Sequence, residues 1–206
     1  MINKAAGKSG APPLLIVLSG PSGVGKDAVI DALKKRNKKL RFIVTATTRP
    51  MREGEKEGVD YHFLAEQTFK EKIKDDEFLE WAKVYQHYYG VLRSTVREAL
   101  GRGEDAIVRV DVQGAATLKS KVSGAVFIFL APSSFKDLER RLKQRASETD
   151  ESLSLRLAKA SYEMERSYLF DYYVKNKTGR LEKAVDDVEA IITAEKLLVN
   201  PKQLKI

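Results

Sequence analysis

The chain contains no cysteine. That excludes a disulfide scaffold, a thiolate zinc or iron–sulfur site and a thiol nucleophile. Its two histidines, His62 and His87, lack an accompanying nucleophile–carboxylate pattern and read as exposed or packing residues. Apolar runs such as Leu14 to Leu18 are far too short to cross a bilayer. The first eleven residues carry Lys4 and Lys8 without an apolar segment, so no secretory signal is expected, and the short start falls short of a full transit peptide. A soluble cytoplasmic protein is the expectation, with an organelle left open. What the chain does have is 206 residues, 43% of them apolar and 32% charged, enough for one buried core with insertions and too apolar for wholesale disorder. Lysine and arginine total 37 against 29 aspartates and glutamates, a net charge of +8 that points to an anionic partner.

Short apolar runs alternate with helical patterns. Leu14 to Ser19, Phe42 to Thr45, Ala106 to Asp111, Ala125 to Leu130 and Tyr172 to Val174 are the five expected strands. Helices are expected over Gly25 to Arg36, around Ala115 to Lys119, from a Ser133 or Ser134 cap to about Gln144, and over Leu181 to Leu198. Strands apolar on both faces and separated by helices predict an α/β fold with a parallel sheet covered on both sides. The stretch from about Arg49 to Arg97 breaks this rhythm and reads as an inserted lobe, with strands at Tyr61 to Leu64 and Phe78 to Val84 and Trp81 in its core. Ala146 to Glu151 lacks apolar anchors and reads as a mobile lid between two helices. The basic run from Lys34 to Arg41 reads as a solvated helix face, because it has no interleaved aromatics to stack on bases.

The strongest motif is Gly20-Pro21-Ser22-Gly23-Val24-Gly25-Lys26, placed after an expected strand and opening a helix. This G-x-x-x-x-G-K spacing is the phosphate loop of nucleoside triphosphate-binding proteins. Its glycines let successive N–H groups point inward as an anion nest at the positive end of a helix, and Lys26 can reach the β- and γ-phosphates. Where the motif has Ser or Thr to ligate magnesium, this chain has Asp27. A carboxylate is a hard magnesium ligand but repels phosphates without metal, so nucleotide binding is expected to be strongly magnesium-dependent.

Further polar residues suggest a second phosphate site. Arg49 and Arg52, beside a turn, can grip a phosphate bidentately, with hydroxyls from Tyr61 and Tyr89. Glu80 is an acceptor-only carboxylate that suits the adjacent N1–H and N2–H donors of guanine. The blocks Thr47-Thr48-Arg49-Pro50-Met51-Arg52-Glu53-Gly54-Glu55, Asp60-Tyr61-His62-Phe63, Glu80 through Tyr88-Tyr89-Gly90, and Val110-Asp111-Val112-Gln113-Gly114-Ala115 resemble the guanylate kinases in order and spacing, from about Leu14 to Leu198.

The resemblance implies the nucleoside monophosphate kinase fold of the phosphate-loop superfamily and transfer of the ATP γ-phosphoryl group to GMP, and to dGMP. It divides residues 13–198 into a core (13–48, 98–144 and 157–198), a GMP-binding lobe (49–97) and a lid (145–156), with tails at 1–12 and 199–206. The loop Gly20 to Lys26, Asp27 and Asn176 would bind ATP. Thr45, Arg49, Arg52, Tyr61, Glu80, Tyr89 and Asp111 would bind GMP. Lys26, Arg52, Arg145 and Arg156 would act on the transferring phosphoryl group, and Asp27 and Asp111 would meet Mg²⁺. Asp111, at the end of a strand, could also simply cap the next helix.

Three positions depart from the family pattern. Asp27 replaces Ser or Thr, Val91 stands where a hydroxyl side chain usually meets guanine, and Arg109 stands where many members have a second aspartate. Asp27, the Thr45-Ala46-Thr47 stretch and Arg109-Val110-Asp111 together resemble a subgroup found in plant organelles and some bacteria. Two other readings remain at this point: an inactive guanylate-kinase-like module that binds phosphopeptides, and a kinase of the same fold with another acceptor. The intact glycines and Lys26 argue against the first, and the lost hydroxyl at Val91 leaves the second open. ATP and GMP are the expected partners, without nucleic acid or membrane, and the oligomeric state is not legible.

Overall fold

The structure, a computed structural model, describes residues 11–37, 39–84, 86–143 and 150–206. The chain opens with β1 (Leu15–Ser19), all five residues buried, and passes through the glycine loop into α1 (Lys26–Arg36). It continues through β2 (Leu40–Phe42), β3 (Ala46–Thr47), β4 (His62–Phe63), α2 (Glu66–Lys74), β5 (Phe78–Val84), β6 (His87–Leu92) and α3 (Arg93–Gly101). Then follow β7 (Asp105–Arg109), α4 (Val112–Lys121), β8 (Val126–Pro132), α5 (Phe135–Lys143), α6 (Asp150–Glu165), a 3₁₀ turn at Arg166–Leu169, β9 (Tyr172–Asn176) and α7 (Leu181–Lys196).

Five strands form a parallel sheet in the order β2-β7-β1-β8-β9. Side chains alternate across a strand, so β1 feeds two cores at once. Ile16 and Leu18 pack with Val29 and Leu33 of α1 and with Val185, Val188 and Ile192 of α7. Leu15 and Val17 face the other way, against Val96 and Ala99 of α3 and Ala115 and Leu118 of α4. Each such aliphatic chain contributes about 2 kcal/mol by leaving water. β1 and β7 thus end side by side, with the loop after β1 and Asp111 after β7 at the same edge, where open α/β sheets bind ligands.

The expected second strand, Phe42 to Thr45, is not a single element. Leu40–Phe42 joins the parallel sheet, whereas Ala46–Thr47 crosses into a four-stranded sheet ordered β4-β3-β6-β5. β3 runs parallel to β4 and antiparallel to β6, which pairs antiparallel with β5. This second sheet therefore starts at Ala46, before the Arg49 boundary expected from sequence. Its small core stacks Phe69 on Phe78, with ring centroids 4.3 Å apart. Trp81 does not belong to that core: alternation along β5 turns it outward, 39% exposed and tilted against Tyr88, while Glu80 points inward.

Ser134 caps α5 by accepting a hydrogen bond from the Asp137 N–H (3.1 Å). Arg36, in the basic run, is bound to Glu182, Asp186 and Glu189 of α7, so the run is partly an ion-pair seam between helices. The C-terminal segment returns to the core: Ser123 and Lys205 pair through their backbones, and Leu204 and Ile206 pack on the α3–α4 side. Residues 1–10, and Arg145 with the 145–149 part of the expected lid, lie outside the described residues. Among the described residues, no helix is long and apolar enough to cross a membrane.

Candidate active site

The loop between β1 and α1 turns at Gly20, whose φ of +146° is disfavoured for other residues. A Cβ there would also lie 2.1 Å from the Leu130 carbonyl oxygen, so the loop packs against β8 only because residue 20 is glycine. Lys26, at the start of α1, folds back to donate from Nζ to the carbonyls of Gly20 (2.6 Å) and Pro21 (3.1 Å). Burial pulls its pKa down to about 8, against the opposing pull of Glu163.

The loop opens onto a cleft of about 940 Å³ between the two sheets. Ser22, Lys26 and Asp27 line it on one side, with Thr45, Arg52, Tyr61, Glu80 and Tyr89 from the second sheet and its loops on the other. Arg109 and Asp111 form its floor at the end of β7, and Arg156 reaches in from α6. The Arg156 guanidinium donates to Ser22 Oγ (3.2 Å), so α6 already touches the phosphate loop. Ten of the expected site residues thus share one cavity.

Arg49 does not line it. Its guanidinium forks onto Glu55 (3.0 and 2.7 Å) and lies over the ring of Tyr61, 5.4 Å from the centroid. Glu55 also accepts from the Arg52 N–H (2.8 Å), so this glutamate ties both arginines of the turn together. Val91 is fully buried in the α3–α4 core and likewise does not line the cleft. Asn176 sits on the opposite side of the loop, donating from Nδ2 to the Val24 carbonyl (2.8 Å). There it lines a second recess with Gly23, Gly25, Ala28, Arg141 and Thr178.

Glu80 is the most perturbed acid of the cleft. It is 3% exposed, and among the described residues its carboxylate has no hydrogen-bonding partner. Burial, with Asp111 close by, pushes its pKa up to about 8. The first turn of α4 makes room for it: a Cβ on Gly114 would lie 2.6 Å from Glu80 Oε1. Asp111 takes the capping role that the sequence offered as one alternative, and it also lines the cleft. It caps α4 by accepting from the Gly114 N–H (2.9 Å), and its other oxygen faces Lys159 at 3.6 Å.

The charge at Asp27 is not left facing phosphates. Arg109 Nη1 donates to Asp27 Oδ1, and Arg109 Nη2 donates to the Tyr61 hydroxyl oxygen (2.7 Å). The neutralising arginine removes the repulsion on which the expected strong magnesium dependence rested. The carboxylates present still suit magnesium. Asp27 and Asp111 line one cleft, and this ion is commonly held by one or two carboxylates plus substrate phosphates and water. Among the described residues, no group of three or more acidic or histidine side chains is placed to hold a metal ion by itself.

Two participants come from α6 and escaped the sequence reading. Glu163, with its side chain 4% exposed, accepts from the Ser22 N–H (3.1 Å), and burial raises its pKa. Lys159, one turn earlier, bridges Glu163 and Asp111. Their i, i+4 spacing was visible but is common on solvated helices. Arg141 was missed as well; it bonds the carbonyls of Val24 (3.0 Å) and Asn176 (2.8 Å) beside the second recess.

Comparison with known proteins agrees with this geometry. Residues 13–195 match the guanylate kinase family. The chain is 45% identical over 195 residues to "Guanylate kinase 2, chloroplastic/mitochondrial" of Oryza sativa subsp. japonica, covering 94% of this chain and 68% of that protein. It is 43% identical over 191 residues to the guanylate kinase of Carboxydothermus hydrogenoformans, covering 93% and 92%. Among solved structures, a guanylate kinase from Anaplasma phagocytophilum superposes with a TM-score of 0.73 at 27% identity, covering 94% of this chain and 90% of that one.

Proposed function

The chain belongs to the guanylate kinase family, and on that premise we propose that its cleft transfers the γ-phosphoryl group of ATP to GMP, and to dGMP, giving ADP and GDP or dGDP. The observation that carries the reading is Glu80: a buried residue whose carboxylate has no hydrogen-bonding partner among the described residues, in the same cavity as a phosphate loop. Such a group is costly unless a ligand completes it. The paired N1–H and N2–H donors of guanine complete it, and adenine has no such pair.

In this reading ATP lies on the loop, its β- and γ-phosphates taking Lys26 from the carbonyls of Gly20 and Pro21. The recess beside Asn176 and Arg141 is offered to the adenine ring. GMP is held by Glu80 and Thr45 at the base and by Arg52, Tyr61 and Tyr89 at the phosphate, with Arg49 buttressing Tyr61 from behind. Asp27 and Asp111 would hold Mg²⁺, which supplies charge neutralisation at the β- and γ-phosphates. The attacking GMP phosphate oxygen is already anionic, so the site requires no dedicated base; positioning and cationic contacts do the work. Arg156 stabilises the transferring group, and residues 145–156, with Arg145, close over it and exclude water. Residues 49–97 serve as the acceptor lobe. ATP and GMP are the partners of this reading, with the cytoplasm or an organelle as its compartment.

The intact loop geometry favours this over a non-catalytic binding module. The test is an ADP-release assay with ATP and each of GMP, dGMP, AMP, CMP and UMP as acceptor. Turnover is expected with GMP and dGMP; turnover with AMP but not GMP would overturn the substrate assignment.

A further inference from the structure

Arg109 lines the cleft and joins its two sides, and the proposed reaction leaves it without a role. It ends β7, next to β1 in the sheet, and so stands between the phosphate loop and the acceptor lobe. One arm of its guanidinium holds Asp27, the residue after Lys26; the other donates to the hydroxyl oxygen of Tyr61 at 2.7 Å. The guanidinium also lies over the Tyr61 ring, 5.2 Å from the centroid. A guanidinium has donors only. The phenol oxygen is therefore the acceptor in this bond, and the hydroxyl's own hydrogen is left for another acceptor. Tyr61 lines the cleft, and its burial keeps the phenol protonated. A donated charge-assisted bond also polarises the phenol and strengthens it as a donor.

We propose that Arg109 is a positioning residue for the acceptor phosphate: anchored by Asp27, it turns the Tyr61 hydroxyl so that its hydrogen is presented to the phosphate of GMP. This deepens the guanylate kinase reading and rests on it. Asp27 then has a function that is independent of metal, as the counter-ion that fixes the guanidinium. The planar fork is what allows one side chain to serve two partners in two directions, which the single ammonium of lysine does poorly. Acceptor binding on one side is thereby tied to the first turn of the ATP-binding helix on the other.

The experiment measures GMP binding to the full chain by titration calorimetry, without ATP or magnesium, for wild type, Arg109→Met, Tyr61→Phe, the double variant and Asp27→Asn. Arg109→Met and Tyr61→Phe should each weaken GMP about tenfold, the scale of one charge-assisted hydrogen bond. The double variant should lose about the same tenfold, because the two residues act through one bond. Asp27→Asn should weaken GMP several-fold, although Asp27 lies on the ATP side. The inhibition constant of guanosine, which has no phosphate, should not change in Arg109→Met, and ATP affinity should not change in Tyr61→Phe, which leaves the Arg109–Asp27 pair intact. Unchanged GMP affinity in Arg109→Met, a roughly hundredfold loss in the double variant, or guanosine binding weakened as much as GMP binding in Arg109→Met would each overturn the proposal. Failure of the wild type to bind GMP would instead remove the kinase reading itself, and this inference with it.

Discussion

Glu80→Gln separates the cost of the buried carboxyl from its use. In the folded protein this group has its pKa at about 8, against 4.5 when unperturbed. The unfolded chain therefore ionises first. As pH rises from about 4.5 towards 8, the unfolded state gains a charge that the folded state refuses, and stability falls. At about 1.36 kcal/mol per pH unit, the penalty between pH 5 and pH 8 reaches as much as about 4 kcal/mol. Glutamine does not titrate, so the stability difference between variant and wild type should tilt towards the variant by that amount across the window. Groups common to both proteins cancel, as does any fixed cost of the amide. The assay is urea unfolding at pH 5, 6.5 and 8 without nucleotide. A difference that stays constant with pH would refute the reasoning. The same shift governs binding: guanine needs the ionised carboxylate as a double acceptor, so GMP affinity should rise with pH up to about 8 and then level, with proton release below it.

Lys26→Met should lower turnover by about a hundredfold or more, the scale of a lost transition-state charge contact. Wild-type ATP affinity should fall as pH rises through about 8, where free Lys26 loses its proton, and calorimetry should show proton uptake on binding; Lys26→Met should lack both. Arg156→Ala should reduce kcat by about a hundredfold in steady-state kinetics, since this arginine reaches the loop from α6 and is assigned to the transferring group. Gly114→Ala would place a methyl group 2.6 Å from Glu80 Oε1. It should raise KM for GMP about tenfold, about 1.4 kcal/mol, while leaving KM for ATP unchanged.

Legibility in the sequence followed the distance over which a feature is encoded. The phosphate loop is readable because its parts are consecutive and its flanks are a continuous apolar run, β1, and a stretch with apolar residues at helical spacing, α1. The split between β2 and β3 was not, because a two-residue strand such as Ala46–Thr47 has no periodicity and is defined by its partners Gly90 and Tyr89. Trp81 was misplaced because composition favours a buried tryptophan, whereas the neighbour that needed burial was Glu80. Glu163, Lys159 and Arg141 belong to the site through helix packing across the chain, for which a single sequence has no local sign. Asp27 and Arg109 are different: each stood out as a departure, of opposite charge, and the signal lay in considering them together.

The most direct test of the central claim is the ratio of kcat/KM for GMP to that for AMP, in wild type and in Glu80→Gln. A site whose buried carboxylate pairs the guanine edge should favour GMP by about a thousandfold or more, and the variant should lose about a hundredfold of that preference. A wild-type ratio near unity, or a ratio unmoved by the substitution, would contradict the assignment of Glu80 as the group that reads guanine.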